Sequence, residues 1–91
     1  MERIFEPITW GYVDAEKTHG KGAEYYVAIG NEHWNVEKNP ILVFKIQMSY
    51  DRRRSGRKSP SFPLDSDDWN RVCKKAKEVK EAYDKGIKRE V

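Results

Sequence analysis

The sequence lacks the features that several classes of protein require. Its single cysteine, Cys73, rules out an internal disulfide and a cysteine-based zinc cluster. No apolar run approaches the roughly 20 residues of a membrane-spanning helix, and the opening residues lack the apolar core of a signal peptide. We therefore expect a soluble, intracellular protein with no membrane partner, in the cytoplasm or nucleoid, or in the nucleus if the source is a eukaryote.

Patterns that carry catalysis or bind metals are missing as well. His19 and His33 lie near no cysteine or serine nucleophile motif, and two histidines are too few for a histidine-based metal site. The Gly20-Lys21-Gly22 segment lacks the full spacing of a phosphate-binding loop. We predict no enzyme activity, no catalytic residue, no metal site and no cofactor.

Positive charge is present but concentrated in one part of the chain. The formal net charge of +3 excludes a strongly cationic chain of the histone kind. Residues 41–64 nevertheless carry six cations against one anion, Asp51. The six cations are Lys45, Arg52, Arg53, Arg54, Arg57 and Lys58. A run of this kind is usually a solvated loop, but a polyanion would relieve its self-repulsion, and nucleic acid is the commonest polyanion in a cell.

Alternation of apolar residues with period two predicts a sheet. It indicates strands over residues 8–13, 25–30 and 41–50, with a longer connection over residues 31–40. The basic run, residues 51–58, would then form the long, bulged turn of a hairpin whose second strand covers residues 61–64. Pro63 has no N–H to donate, so we expect this short fourth strand to lie at the edge of the sheet or to finish early.

The C-terminal third predicts one helix over about residues 66–88. Asp67 and Asp68 favour its first turn, where the helix dipole stabilises negative charge. One apolar stripe at helical spacing comprises Trp69, Val72, Cys73, Ala76, Val79, Tyr83 and Ile87. The chain is therefore predicted to be a single α+β domain over residues 1–91, in the order β-β-β-β-α, with its sheet over about residues 7–64.

The apolar stripe is longer than one small sheet needs for cover. We therefore predict that its far end, Val79, Tyr83 and Ile87, packs against a second chain in a homodimer. Trp69 lies on the near part of the stripe and is expected in the core, as is Phe44 on the more apolar face of its strand.

Two tyrosines are candidates for stacking on unpaired bases. Tyr26 falls on the opposite face from the apolar side chains of its strand, so we expect it to be exposed. Tyr50 ends the third strand beside the basic run. An exposed aromatic ring next to cations can stack on single-stranded bases, although Tyr50 could equally be a cross-strand packing partner.

The chain resembles the transcriptional coactivator positive cofactor four family over roughly residues 25–85. The matching parts are the run over residues 41–50, Gly56-Arg57-Lys58, the short strand over residues 61–64, and Asp68-Trp69. Members of this family have a curved four-stranded antiparallel sheet followed by one helix. Two chains pair through their helices, and the paired sheets form a channel for single-stranded DNA. Pur-type and Whirly proteins share this plan and also bind single strands.

The resemblance implies roles for four residues. Arg57 and Lys58 would bind phosphate, and Tyr50 would take the place of an aromatic residue that stacks on a base. Gln47 stands where the family has an arginine on its binding face, so one expected contact is weakened.

The leading hypothesis is a dimeric protein that binds single-stranded DNA with little sequence preference, as an accessory in transcription or replication. The expected nucleic-acid contacts are Tyr26, Lys45, Gln47, Tyr50, Arg52, Arg53, Arg54, Arg57 and Lys58. RNA binding is a variant that the sequence does not separate from it. The alternative hypothesis is a small protein-binding adaptor or inhibitor that docks its basic hairpin on an acidic partner.

Overall fold

A computed structural model of the protein describes residues 3–34 and 39–91. Its elements are β1 (Arg3–Asp14), α1 (Glu16–His19), β2 (Ala23–Trp34), β3 (Ile41–Tyr50), β4 (Arg53–Ser55) and α2 (Asp68–Asp84). The four strands form one curled antiparallel sheet in the order β1-β2-β3-β4, and α2 follows it. The predicted α+β fold, a curved four-stranded sheet followed by a C-terminal helix, is therefore confirmed.

The two longest strands, β1 and β2, pair along their whole length. Their register shifts between Pro7 and Thr9, so Ile8 is the extra residue of a β-bulge. Because side chains alternate between the two faces of a sheet, the bulge brings Phe5 and Trp10 onto the same face. The sequence pattern placed the start of this strand at residue 8 because the alternation is interrupted at the bulge.

Helix α2 packs on one face of the sheet, mainly against β1 and β2. The core between them contains Tyr25, Val27 and Met48 from the sheet and Val72 and Val79 from the helix, all almost completely buried. Val79 has no exposed surface, because it fills the centre of its own chain's core. The prediction that Val79 contacts a second chain is therefore wrong.

A buried carboxylate fixes the start of α2. Asp68 is only 3% exposed. It accepts hydrogen bonds from the hydroxyl of Thr18, the hydroxyl of Tyr25 (2.7 Å) and the guanidinium of Arg71 (2.7 Å). These hydrogen bonds, that of Thr18 first, hold the pKa of Asp68 below its usual range. Burial, together with the neighbouring Asp68 carboxylate, raises the pKa of the Tyr25 hydroxyl. We call this set the Asp68 network; it joins α1, β2 and α2.

The fourth strand lies earlier in the chain than predicted. β4 is part of the basic run and pairs with the last three residues of β3. The turn between them is only Asp51 and Arg52, both with positive φ (53° and 69°), as in a type I′ hairpin turn. The sequence predicts a longer turn because the whole basic run, with its glycine, separates two apolar runs. The shorter turn is unexpected because two consecutive non-glycine residues seldom adopt positive φ.

Residues 61–64 form no strand. Phe62 packs instead against the rings of Tyr25 (4.8 Å between centroids) and Trp69 (5.0 Å). Trp69 and Phe44 are both half exposed, so their predicted place in the core is wrong. Phe44 lacks cover because α2 lies mainly over β1 and β2, and because β4 is too short to reach the first half of β3.

The predicted ends of two elements also change. α2 ends at Asp84, and Gly86 (φ 80°) reverses the chain, so Ile87 lies beyond the helix and its carbonyl accepts a hydrogen bond from the hydroxyl of Thr9 (2.6 Å). β2 continues to Trp34, which shortens the predicted connection over residues 31–40. Residues 35–38 of that connection lie outside the described part of the chain. Within the described part, no helix has the length and apolar character needed to cross a membrane.

Candidate functional site

The face of the sheet opposite α2, which we call the open face, is concave. Its central residues are Trp10, Tyr12, Tyr26, Ala28, Lys45 and Gln47. Ala28 is completely buried and Tyr26 is only 2% exposed, although α2 lies on the other face. Side chains of β1 and β3 must therefore close over β2, as expected for a strongly curled sheet.

A groove of about 660 Å³ runs from the start of β1 past Lys45 and Gln47 to β4 and the loop after it. Ile46 and Ser55, whose positions alternate to the α2 side, also line it, so the groove extends beyond the open face at the outer edge of β3. Its charged lining residues are all cations: Arg3, Lys45, Arg54 and Lys58. Among the described residues, no carboxylate lines it. We call it the basic groove. A concave surface with charge of a single sign raises the local concentration of oppositely charged ligands.

Glu32 stands beside the groove and offsets part of this charge. Lys45 donates a hydrogen bond from Nζ to one of its carboxylate oxygens, and Arg3 donates to the other at 3.1 Å. The hydrogen bond from Lys45 is the main reason that the pKa of Glu32 lies below its usual range, so Glu32 is ionised at neutral pH. Arg54 and Lys58, in contrast, have no carboxylate within 4 Å among residues 3–34 and 39–91.

Arg54 and two tyrosines form a layered contact beside the hairpin turn. The rings of Tyr12 and Tyr26 lie 5.3 Å apart, and the guanidinium of Arg54 lies 5.3 Å from the centre of the Tyr26 ring. Burial raises the pKa of the Tyr26 hydroxyl to about 12. Tyr26 was expected to be exposed for base stacking; this is wrong, because Tyr12 and Arg54 cover its ring.

Arg52 is folded back over the sheet. Its guanidinium lies 3.9 Å from the centre of the Tyr12 ring, a cation–π contact. It also forms ion pairs with Glu24 (3.5 Å) and with Glu90 (3.2 Å). Three partners therefore compete with any external anion for Arg52.

The rest of the basic run is divided between the faces of the sheet. Arg54 lies opposite Ser49 on the open face, whereas Arg53 lies opposite Tyr50 on the other face. Lys58 returns to line the groove, and Arg57 is exposed but does not line it. Of the five cations in the run, the structure thus brings two, Arg54 and Lys58, together with Lys45.

Tyr50 and Gln47 have different surroundings. Tyr50 is half buried against the core on the α2 side, with the Nζ of Lys58 4.8 Å from its ring centre. This position fits the packing alternative for Tyr50 better than base stacking. Gln47 lines the basic groove, and its Oε1 is buried without a hydrogen-bond partner among the described residues.

The sequence pattern did not predict the β1 side of the groove. Arg3 and Phe5 line it, and the Nζ of Lys45 lies 5.4 Å from the centre of the Phe5 ring. Trp34, 43% exposed, lies beside Arg3, whose guanidinium is 5.4 Å from its ring centre. Pro7 was the available signal, because a proline within an alternating segment indicates a bulge and hence a strand that continues on its other side.

Comparisons with protein-family models, with curated proteins and with solved structures give no match. The resemblance to the positive cofactor four family therefore stays a prediction. The geometry and charge of the basic groove are the features that bear on its function.

Proposed function

We propose that this protein binds single-stranded nucleic acid, with DNA as the first candidate, along the basic groove. The binding would be largely independent of sequence, would involve no catalysis, and would serve transcription or replication inside the cell. The observation that carries the proposal is the convergence of Arg3, Lys45, Arg54 and Lys58 on one groove. These four residues come from three strands and a loop, so the fold concentrates charge that is dispersed in the sequence.

Arg54 and Lys58 are the best candidates for phosphate contacts. Neither has a carboxylate partner among the described residues, so binding a phosphate would break no ion pair. Arg3 and Lys45 share Glu32 and would contribute less. If three or four phosphates are neutralised, log K should fall against log salt with a slope of about −2 to −3, from roughly −0.7 per phosphate on a single strand.

Phe5 would supply the aromatic contact within the groove. Stacking of a base on an aromatic ring contributes about 1–3 kcal/mol and needs an unstacked base. This requirement favours single strands over duplex. Trp34, half exposed beside Arg3, extends the same surface.

Fluorescence anisotropy with labelled oligothymidine tests the proposal. We expect Arg54→Ala to weaken binding several-fold and to make the salt slope less steep by about 0.7, the value for one phosphate contact. Lys58→Ala should behave alike. The matched control is Arg53→Ala, which removes the same charge from the neighbouring position on the opposite face.

Equal losses of affinity for Arg53→Ala and Arg54→Ala would show that net charge, and not the groove, drives the binding. An affinity for duplex equal to that for single strands, or one insensitive to salt, would contradict the proposal outright. Oligouridine in the same assay separates RNA from DNA as the ligand.

Docking of an acidic protein segment is a second candidate function. It is favoured by the burial of Tyr26 and by the position of Tyr50 on the α2 side, which leave Phe5 as the aromatic residue lining the described part of the groove. An extended acidic chain needs cations but no stacking platform. Polyglutamate and oligothymidine of equal charge can be made to compete for the protein, and this experiment separates the two functions. Binding of polyglutamate in preference to oligothymidine would favour a protein partner.

A further inference from the structure

The outer edge of β3 is unpaired over most of its length. β4 pairs only with Met48, Ser49 and Tyr50, so residues 41–47 have no neighbouring strand on that side within the described part of the chain. On β3 the basic groove is lined by Lys45, Ile46 and Gln47, so it begins at Lys45 and residues 41–44 lie outside it. The remaining free segment offers unpaired backbone N–H and C=O groups to another strand.

Apolar side chains at this edge are strongly exposed. Ile41 is 66% exposed, and Leu42 and Phe44 are each 50% exposed. Leu42 and Phe44 point to the α2 side, where they line an apolar cleft of about 170 Å³ with Tyr83. Lys45 is the single charged residue in residues 41–47, whereas natural edge strands are commonly protected by several charges or by proline. Pairing of another strand along this edge would bury these apolar side chains and stabilise the sheet.

We propose that the occupant is a second copy of this chain. The β3 strands of the two copies would pair antiparallel about a two-fold axis at Val43, joining two four-stranded sheets into one of eight strands. In this register Val43 faces its own copy, Leu42 faces Phe44, and Ile41 faces Lys45. Each exposed Leu42 is thereby covered by Phe44 of the other copy on the α2 side.

The charges of the edge agree with this register. Lys45 of each copy lies beside Ile41 of the other, and the neighbour of Ile41 on β2 is Glu32. Each lysine thus approaches an additional acid. A two-fold axis at Lys45 would instead place like charges directly opposite one another, which is destabilising.

The opposite edge of the sheet favours a closed dimer over an open chain of copies. Head-to-tail pairing would join β3 of one copy to the free edge of β1 of the next. In this protein the C-terminal segment runs along that edge: Glu90 forms a bridge with Trp10, and Val91 donates a backbone hydrogen bond to the Trp10 carbonyl (2.8 Å). Pairing of β3 with β3 requires no displacement of this segment. It places Ile41 of each copy beside Lys45 at the end of the other copy's basic groove, and it does not depend on nucleic-acid binding.

Disulfide trapping tests the position of the axis. In a Cys73→Ser background, Val43→Cys should cross-link two chains under mild oxidation. Directly opposite residues of an antiparallel pair have Cα atoms about 4.5–5.5 Å apart, within the range that a disulfide spans. The control is Lys77→Cys in the same background, at an exposed position on α2, and it should cross-link at least tenfold more slowly.

Charge exchange in sedimentation equilibrium tests the register independently. The double variant Leu42→Glu with Phe44→Glu places acids opposite acids and should weaken the dimer at least tenfold. Leu42→Lys with Phe44→Glu places opposite charges across the axis and should restore association in a salt-dependent manner. Leu64→Glu, at a fully exposed position elsewhere, should leave the dimer unchanged. Far-UV circular dichroism checks that each variant is folded.

A monomeric wild type at up to about 100 μM would overturn the inference, since a specific dimer of this kind should have a Kd in the micromolar range or below. So would cross-linking of Val43→Cys no faster than that of Lys77→Cys. A dimer that withstands both double variants but dissociates on Tyr83→Ala would show that the helices form the interface instead. If the charged variants fail to fold, the cross-linking rates still decide the question.

Discussion

Replacing Asp68 by asparagine tests whether one buried carboxylate joins three elements of the fold. The carboxylate accepts hydrogen bonds from Thr18, Tyr25 and Arg71 while only 3% exposed. Hydrogen bonds to a charged group contribute about 1.5–3 kcal/mol each, but the asparagine amide keeps one acceptor oxygen. We therefore expect Asp68→Asn to lower the free energy of unfolding by about 3 kcal/mol, or Tm by roughly 12–24 °C for a domain of this size.

The loss should depend on pH with a defined sign. The pKa of Asp68 is lowered in the folded state, chiefly by the hydrogen bond from Thr18, so its ionisation stabilises the fold above the unfolded-state pKa. That stability disappears as the pH falls through the folded-state pKa. The difference in the free energy of unfolding between wild type and Asp68→Asn should therefore be largest at neutral pH. It should become smaller below about pH 4, near the usual pKa of an aspartate.

Urea denaturation monitored by circular dichroism at several pH values measures both effects. Asp67→Asn is the matched control, because Asp67 is the preceding residue and is mostly exposed, and its one ion pair among the described residues is with Arg71 (3.1 Å). An exposed pair of this kind contributes about 0.2–1 kcal/mol. Equal losses for the two variants, or a loss at Asp68 that is the same at pH 3 and pH 7, would refute the reasoning.

Three further tests, each by urea denaturation, concern other parts of the fold. Arg52→Gly should be about 1 kcal/mol more stable than Arg52→Ala, because both lose the side-chain contacts but only glycine adopts the turn's positive φ without strain; a more stable alanine variant would contradict the type I′ turn. Gly30→Ala should lower the free energy of unfolding by about 2–3 kcal/mol, since the added Cβ would meet the Glu6 carbonyl and would lie 2.7 Å from the Cα of Pro7. Gly56→Ala should be near neutral, because no atom lies within 4 Å of the added Cβ. Ser49→Ala should raise stability by about 1 kcal/mol, because the buried Oγ has no partner among the described residues; a loss would indicate an unrecognised hydrogen bond.

Local sequence signals predicted most of the elements. Alternation identified β2 and β3, and apolar spacing identified α2, because burial on one face imposes a period on each of them. The bulge at Ile8 interrupted that period, and the first residues of β1, with Arg3 and Phe5, were therefore missed. An alternation pattern reports burial reliably only while the register is constant.

The fourth strand and the groove depended on information that the sequence pattern does not carry. β4 follows a turn of two residues with positive φ, which Asp51 and Arg52 adopt against their intrinsic preference. The environment of Tyr26 is likewise set by the curl of the sheet and not by its position in the alternation. Such tertiary effects decide which cations converge, so the predicted contacts at Arg53 and Arg57 fall outside the groove while Arg54, Lys58, Lys45 and Gln47 fall within it.

The alternation of β4 means that the order of residues in the basic run matters independently of its composition. A chain carrying Arg54→Ser together with Ser55→Arg would keep the mass, the amino-acid content and the isoelectric point of the original protein. The permutation would nevertheless move one guanidinium from the open face of the sheet to the α2 side, although both positions border the basic groove. Bulk electrophoretic behaviour would stay constant while the contact between this guanidinium and the Tyr26 ring was lost. In a three-residue strand, the face of the sheet to which a side chain points therefore determines its electrostatic effect as much as the kind of side chain does.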